Sequence, residues 1–138
     1  MLILANDGIH PEGKKALEAA GFQVQTDKVE QNDLASFIKE RSVVGVLVRS
    51  ATQITEKELT ASASLKVIGR AGVGLDNIDL KTAETNGITV ANTPAASSQS
   101  VAELVLAHLF TVSRFLQLSN REMSVSGTAD FGKLKKSY

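Results

Sequence analysis

The stretch from Lys66 to Asn77 reads K-V-I-G-R-A-G-V-G-L-D-N and decides the fold. It begins with a short apolar run and continues with an arginine and two closely spaced glycines, the pattern of a buried strand that ends in an anion-binding loop. Short apolar runs of this kind alternate with longer helix-like stretches along the chain. This alternation predicts an α/β protein built on a parallel sheet.

The pattern predicts five strands with helices between them. The predicted strands are Leu2–Ala5, Phe22–Thr26, Val43–Val48, Leu65–Gly69 and Ile88–Ala91. The predicted helices are Pro11–Ala20, Asp33–Glu40, a short helix opened by a capping box of Thr55 and Glu58, and Asp79–Asn86. The third strand is branched and almost wholly apolar, so we expect it in the centre of the sheet with both faces covered.

A long apolar helix is predicted after the fifth strand. Ser100 and Glu103 have the spacing of a capping box, and the helix that they would start runs to about Gln117. Its apolar side chains nearly encircle it, which is typical of a helix covered by more than one neighbour. We therefore expect a homo-oligomer formed through Val101 to Leu118. Residues 119–138 turn polar and are predicted to be a linker or tail.

The composition argues against several classes of function. The chain has 138 residues, with 15 basic and 15 acidic residues interspersed, so no partner among nucleic acids or anionic membranes is expected. Cysteine is absent, and the two histidines, His10 and His108, are far apart in the sequence, so we expect no metal site. The chain shows no basic leader and no apolar stretch long enough to cross a bilayer. A cytoplasmic protein is expected.

Ligands of an open parallel sheet bind beyond the carboxyl ends of its strands, and three such places stand out here. They are Arg49-Ser50-Ala51-Thr52 after strand three, Arg70-Ala71-Gly72-Val73-Gly74 after strand four, and Asn92-Thr93-Pro94 with Ser97 and Ser98 after strand five. Together they supply two guanidinium groups, several hydroxyls and glycine-spaced N–H groups. None of the three segments contains a carboxylate, and the first one after the glycines is that of Asp76. This chemistry suits a small dianion.

Each of these signals has a simpler interpretation. The two glycines could merely form a tight turn, and either arginine alone could form a surface ion pair. A dinucleotide fingerprint is rejected, because Asn77 occupies the third glycine position and no acidic residue stands about 20 residues further on. A phospho-receiver domain is disfavoured, because Arg49 stands where the acceptor aspartate is needed. His10 fits a turn or cap, and His108 fits a packed or interface position rather than a catalytic base.

Four motifs resemble the D-2-hydroxyacid dehydrogenase family, and most closely its D-3-phosphoglycerate dehydrogenases. They are Arg49–Thr52, Gly69–Asp79, Asn92–Pro94 and Ser100–Leu104. The resemblance implies a flavodoxin-like substrate domain, with a nucleotide domain inserted after strand five. It also implies NAD-dependent oxidation of 3-phospho-D-glycerate to 3-phosphonooxypyruvate, the start of serine biosynthesis.

The resemblance also assigns roles to particular residues. The implied substrate-binding residues are Arg49, Ser50, Arg70, Gly72, Val73, Gly74 and Ser97, of which Val73 would also face the nicotinamide of the cofactor. Ser97 stands where many relatives carry an asparagine, which leaves the identity of the 2-hydroxy acid open. The arginine, glutamate and histidine that perform catalysis in the family have no counterparts in this chain, so no catalytic residue is expected.

The resemblance further implies an organisation for the chain. Residues 1–96 would form the substrate-binding domain, and residues 97–118 a helix of the absent nucleotide domain and its dimer interface. The chain alone is expected to be inactive and not to bind NAD tightly, although the complete enzyme would use it. The alternative is a non-catalytic module that binds a small dianion or has a regulatory role.

Overall fold

The computed structural model describes residues 1–124 and residue 136. The strands are β1 (Leu2–Ala5), β2 (Gln23–Gln25), β3 (Val43–Val48), β4 (Val67–Arg70) and β5 (Thr89–Asn92). The helices are α1 (Pro11–Ala19), α2 (Gln31–Glu40), α3 (Glu56–Leu59), α4 (Leu80–Thr85), α5 (Ser98–Ser113) and α6 (Leu116–Ser124). The chain separates into two compact units, Met1–Ala96 and Ser97–Tyr138.

The first unit contains a parallel sheet with the strand order β2-β1-β3-β4-β5. This is the flavodoxin-like order, and the α/β prediction is confirmed. Since parallel strands joined by right-handed crossovers place their helices above and below the sheet, the order also accounts for helices on both faces. Strand β3 is central, as its branched apolar sequence predicted.

The core of the first unit lies between the sheet and the helices that follow β2, β3 and β4. Its fully buried members on the strands are Leu4, Val43, Val46, Val48 and Ile68. Helix α2 adds Leu34 and Ile38, and α3 adds Leu59. This apolar contact fixes the strands against one another and thereby fixes the loops at their ends.

The local signals at helix starts had mixed outcomes in the structure. The capping box of Thr55 and Glu58 is confirmed at the start of α3. His10 is the N-cap of α1, and its imidazole Nδ1 accepts a hydrogen bond from the Glu12 N–H at 3.3 Å, so the cap interpretation is confirmed. Helix α4 begins after Asp79, whose carboxylate accepts the Thr82 N–H.

The capping box of Ser100 and Glu103 is wrong. Helix α5 already begins at Ser98, so Ser100 lies inside it. The Glu103 carboxylate accepts a hydrogen bond from the Gln99 side chain at 2.8 Å, one turn earlier, instead of reaching back to a cap. The three-residue spacing of a capping box also occurs within helices, so spacing alone did not locate the helix start.

The continuous helix to Gln117 is also wrong. Helix α5 ends at Ser113, and Phe115 adopts a positive φ of 52° before α6 begins. Neither glycine nor proline marks this break, so the sequence carried no conventional stop signal. Helix α6 covers the first part of the predicted tail, and the rest of that prediction lies outside the described residues. Within the described part of the chain, every helix is too short or too polar to cross a membrane.

Candidate functional site

Arg70 ends strand β4, and Arg49 directly follows the neighbouring strand β3. Both arginines therefore lie at the edge of the sheet that is formed by the carboxyl ends of its strands. In the β3–β4 register Val48 lies opposite Arg70, and in the β4–β5 register Arg70 lies opposite Asn92. The Ala71 N–H continues the ladder by donating to the Val48 carbonyl at 2.9 Å. Strand β4 therefore runs through Arg70 and does not stop at Gly69, and Arg49 follows directly on the adjacent strand.

The arginine loop, residues 49–52, is held by a carboxylate from the end of β1. Asp7 Oδ2 accepts the Arg49 N–H at 2.6 Å and the Thr52 N–H at 3.2 Å, and Oδ1 accepts the Thr52 hydroxyl at 2.6 Å. Partial burial would raise the pKa of Asp7, but the hydrogen bonds from the Thr52 hydroxyl and from the Arg49, Thr52 and Ala51 N–H groups together lower it. Asp7 is therefore a carboxylate at neutral pH.

A buried asparagine ties the arginine loop to the segment after β4. Asn77 is 5% exposed, and its Nδ2 donates to the Arg49 carbonyl at 3.0 Å and to the Thr52 carbonyl at 2.7 Å. Its own carbonyl accepts the Ile54 N–H at 2.8 Å, and Ile54 and Ile78 form an isolated parallel bridge. Asn77 thus fixes the backbone of the arginine loop and connects it to the segment after β4.

The glycine loop, residues 70–74, uses its glycines to make room for side chains. Gly72 has a φ of +154°, and a Cβ at this position would lie 1.7 Å from Nη1 of Arg70. A Cβ at Gly74 would lie 2.6 Å from Oδ1 of Asp76. Gly72 is therefore needed for its backbone geometry and for the position of the Arg70 guanidinium, which goes beyond the tight turn considered from the sequence.

Two of the N–H groups in the glycine loop are available to a ligand. The Gly72 N–H is not one of them, because it donates to the Arg70 carbonyl at 3.0 Å. The N–H groups of Val73 and Gly74 have no acceptor among the described residues. Two of the loop carbonyls are already used: that of Gly72 accepts the Thr93 N–H at 3.0 Å, and that of Val73 accepts a hydrogen bond from Nδ2 of Asn92 at 2.7 Å. The loop therefore presents donors.

The guanidinium groups of both arginines are unpaired with acids. Neither Arg49 nor Arg70 forms an ion pair with any of the described residues. A surface ion pair within this part of the chain therefore does not account for either arginine. Arg70 Nε is buried and has no hydrogen-bond partner in the same part of the chain. Ser50 is exposed beside Arg49. The edge thus combines two positive groups, a hydroxyl and two free N–H groups, which together can bind an anion.

The remaining predicted residues are placed as follows. The Val73 side chain is 50% exposed, so an apolar surface accompanies the free N–H groups. Ser97 belongs to the second compact unit, where it precedes α5 and its carbonyl accepts the Val101 N–H at 3.0 Å. His108 is exposed on α5. Among the described residues, no group of three or more His, Asp or Glu side chains could hold a metal ion.

The glycine loop does not fit the pyrophosphate of a dinucleotide. The space at Gly72 is taken by the Arg70 guanidinium, and the space at Gly74 is taken by the Asp76 carboxylate. A dinucleotide loop needs open glycines directly before a helix N-terminus, whereas α4 begins only at Leu80. The described residues therefore support a site for a small anion and not one for the phosphates of NAD.

Sequence reasoning missed two residues that hold this site, Asp7 and Asn77. No role was predicted for Asp7, and Asn77 was considered only as the residue that breaks the dinucleotide pattern. A usable signal existed for Asp7, because β1 and β3 are neighbours in a flavodoxin-like order and a carboxylate after β1 must lie beside the loop after β3. Nothing in the sequence indicated the two carbonyls that Asn77 reaches.

Comparison with known proteins places the chain among dehydrogenases. The sequence model of the family described as "D-isomer specific 2-hydroxyacid dehydrogenase, catalytic domain" matches residues 2–130. A D-3-phosphoglycerate dehydrogenase of Methanocaldococcus jannaschii is 41% identical over 112 residues, which cover 81% of this chain and 21% of that protein. A hydroxypyruvate reductase of Thermotoga maritima is 39% identical over 112 residues, 80% of this chain and 36% of that protein.

A solved structure gives the same result. The NAD⁺-bound 3-phosphoglycerate dehydrogenase of Entamoeba histolytica is similar with a TM-score of 0.66 and 32% identity, over 80% of this chain and 38% of that one. The chain therefore spans between about a fifth and two fifths of the length of these three proteins.

Proposed function

Because the chain belongs to the family of D-isomer specific 2-hydroxyacid dehydrogenases, we propose that it is the substrate-binding portion of an NAD-dependent member. The proposed reaction is the oxidation of 3-phospho-D-glycerate to 3-phosphonooxypyruvate at the start of serine biosynthesis. Residues 1–96 bind the acid, and residues 97–118 belong with a nucleotide domain. The 138 residues alone bind the acid without oxidising it.

The observation that carries this proposal is the pair of unpaired guanidiniums at one edge of the sheet. Arg49 and Arg70 follow or end adjacent strands, and neither has an acidic partner in the described chain. Two guanidinium groups on adjacent strands without an acidic counter-ion favour a ligand that brings negative charge to both. A phosphorylated hydroxy acid does so.

Each loop has a separate task in the proposed site. The Arg49 guanidinium and the Ser50 hydroxyl bind one anionic group of the acid. The Arg70 guanidinium and the free N–H groups of Val73 and Gly74 hold its carboxylate, and charge-assisted hydrogen bonds of this kind are about twice as strong as neutral ones. Holding the reacting carbon in place can contribute roughly 7 kcal/mol to lowering a barrier.

NAD enters this proposal as the cofactor of the complete enzyme. When bound, it supplies the acceptor for the hydride that leaves the hydroxyl-bearing carbon. The half-exposed Val73 side chain is the one described group of this chain that we propose to face its nicotinamide ring. Since the glycine loop does not fit a pyrophosphate, we expect this chain not to bind NAD tightly.

The test is isothermal calorimetry with 3-phospho-D-glycerate, accompanied by an assay of NADH formation. We expect binding that weakens as salt is added, because charges at an exposed edge are screened. Arg49→Gln and Arg70→Gln should each weaken binding by about tenfold or more, the effect of one lost charged hydrogen bond. Arg41→Gln is the matched control, because Arg41 lies over the Phe37 ring at the opposite edge of the sheet.

The outcomes separate the parts of the proposal. No binding by the unchanged chain, or equal binding by all three variants, would contradict the anion site. NADH formation by the chain alone would contradict its proposed inactivity. Tighter binding of hydroxypyruvate than of 3-phospho-D-glycerate would favour hydroxypyruvate as the substrate, after which the Thermotoga maritima relative is named.

We also propose that the chain self-associates through Val101 to Leu118. The large apolar side chains along this segment are about half exposed or more; they include Val101, Leu104, Val105, Leu109, Phe110 and Val112. Contiguous apolar surfaces on soluble proteins often mark sites of association. Sedimentation should show a dimer or larger species that Leu109→Glu converts to a monomer, whereas a monomer at all concentrations before the change would contradict the proposal.

A further inference from the structure

The hydrogen bonds of the Thr52 hydroxyl are directional, and they lead from Asn6 to Asp7. Asn6 Oδ1 accepts the Val29 N–H at 2.8 Å, which orients the Asn6 amide so that Nδ2 donates to the Thr52 hydroxyl at 2.9 Å. The Thr52 hydroxyl has a single hydrogen, and it donates this hydrogen to Asp7 at 2.6 Å. Asn6 and Thr52 are both 3% exposed, so water cannot readily replace these partners.

The arginine loop depends on the same carboxylate for its backbone. The N–H groups of Arg49 and Thr52, at the two ends of the loop, both donate to Oδ2 of Asp7. The Ser50 N–H between them has no acceptor among the described residues. The arginine loop therefore curves around the Asp7 carboxylate, and Ser50 and the Arg49 side chain lie on the outer side of the curve.

We propose that Asp7 is a positioning residue of the anion site, which sets the arginine loop so that Arg49 and Ser50 face the ligand. This inference rests on the proposed function. Asp7 does not touch the ligand in this account, because both of its oxygens are occupied by loop donors.

The sign of the effect distinguishes positioning from charge. A carboxylate close to an anion site repels the ligand, so if Asp7 acted only through its charge, removing that charge would tighten dianion binding. If Asp7 positions the loop, removing its acceptors weakens binding instead. The two explanations predict opposite changes in the dissociation constant.

The variants form a graded series. Asp7→Ala removes every acceptor and should weaken binding of 3-phospho-D-glycerate by about tenfold. Asp7→Asn keeps one oxygen for the two backbone N–H groups and should weaken it by about threefold. Thr52→Val removes the hydroxyl at nearly constant volume and tests the same network if Asp7→Ala does not fold. Asp27→Ala, at an exposed bend, is the control and should bind like the unchanged chain.

The experiment is calorimetry with 3-phospho-D-glycerate and, separately, with inorganic phosphate, on variants whose folding is first checked by their NMR spectra. Weaker binding in the order Ala, Asn, unchanged supports the positioning role. Equal or tighter binding by Asp7→Ala or Asp7→Asn overturns it while leaving the anion site in place. Absence of binding by the unchanged chain overturns the proposed function itself, and the positioning role with it.

Discussion

The arginine loop and the glycine loop present the same kind of group at one edge of the sheet, but the chain fixes them by different means. The arginine loop is held by side chains from distant parts of the sequence, Asp7 before it and Asn77 after it. The glycine loop is set locally, by the backbone conformation of Gly72 and by the lack of a Cβ there, which leaves room for the Arg70 guanidinium. Changes to the residues that hold the arginine loop should therefore affect folding, whereas a change at Gly72 should also displace a group that contacts the ligand.

Gly72→Ala should have the largest effect on binding. The new Cβ displaces the Arg70 guanidinium, and the loss of its hydrogen bonds to an anion corresponds to about 2 kcal/mol, or about 30-fold in affinity. The strained φ should also lower the free energy of unfolding by about 1–3 kcal/mol. Calorimetry and urea unfolding measure the two effects separately.

Gly8→Ala is the matched control for this change. Gly8 also has a positive φ, +84°, but a Cβ there would meet nothing within 4 Å. It should share the loss of stability and keep the affinity for the anion. If both variants lose affinity equally, the space above Gly72 does not explain the position of Arg70.

Asn77→Ala should act mainly on folding. It leaves the Arg49 and Thr52 carbonyls without their donor, which should lower the free energy of unfolding by about 2 kcal/mol, as measured by urea unfolding. Asn86→Ala is the control, because Asn86 donates one hydrogen bond to the Thr82 carbonyl on an exposed helix end. A change of about 0.5 kcal/mol or less is expected there. Similar losses for the two variants would contradict the special role of Asn77.

The stability that Asp7 contributes should depend on pH. Its pKa is lowered from the ordinary value of 3.8, so the folded state favours the carboxylate. The contribution is complete well above pH 3.8 and is lost as the pH falls through the lowered pKa. The difference in unfolding free energy between the unchanged chain and Asp7→Asn should therefore narrow in acid. A difference that stays constant from neutral pH into the acid range would contradict this.

Ser50→Ala should have the smallest effect. Ser50 is exposed and its hydroxyl has no partner among the described residues. Stability should change by about 0.5 kcal/mol or less. Affinity for 3-phospho-D-glycerate should fall by about threefold, the effect of one neutral hydrogen bond, as measured by calorimetry. Unchanged affinity would remove Ser50 from the proposed site.

The same contrast explains how much the sequence could predict. Strands such as Val43–Val48 are marked by local apolar runs, and the glycine loop is marked by its own glycines, so both could be located. The family, and with it the order of the strands, came from four motifs that are each continuous in sequence. Where the sequence was misleading, as at Ser100 and Glu103, a local spacing had two structural explanations.

The two residues that hold the arginine loop, Asp7 and Asn77, could not be predicted in the same way. Asp7 and Asn77 act on residues that are 42 and 28 positions away in the sequence: the Asp7 carboxylate accepts from a backbone N–H group, and the Asn77 side-chain amide donates to a backbone carbonyl. Backbone groups are the same at every residue, so no residue type signals them. Only the strand order, together with the register at the edge, brings these partners together.

The most direct test of the shared site is an NMR titration of the ¹⁵N-labelled chain with 3-phospho-D-glycerate. If the two loops bind one ligand, the amide signals of Ser50 in the arginine loop and of Val73 and Gly74 in the glycine loop should shift together and follow a single binding curve. Shifts confined to one loop, or two curves with different dissociation constants, would contradict the claim that both loops form one anion site.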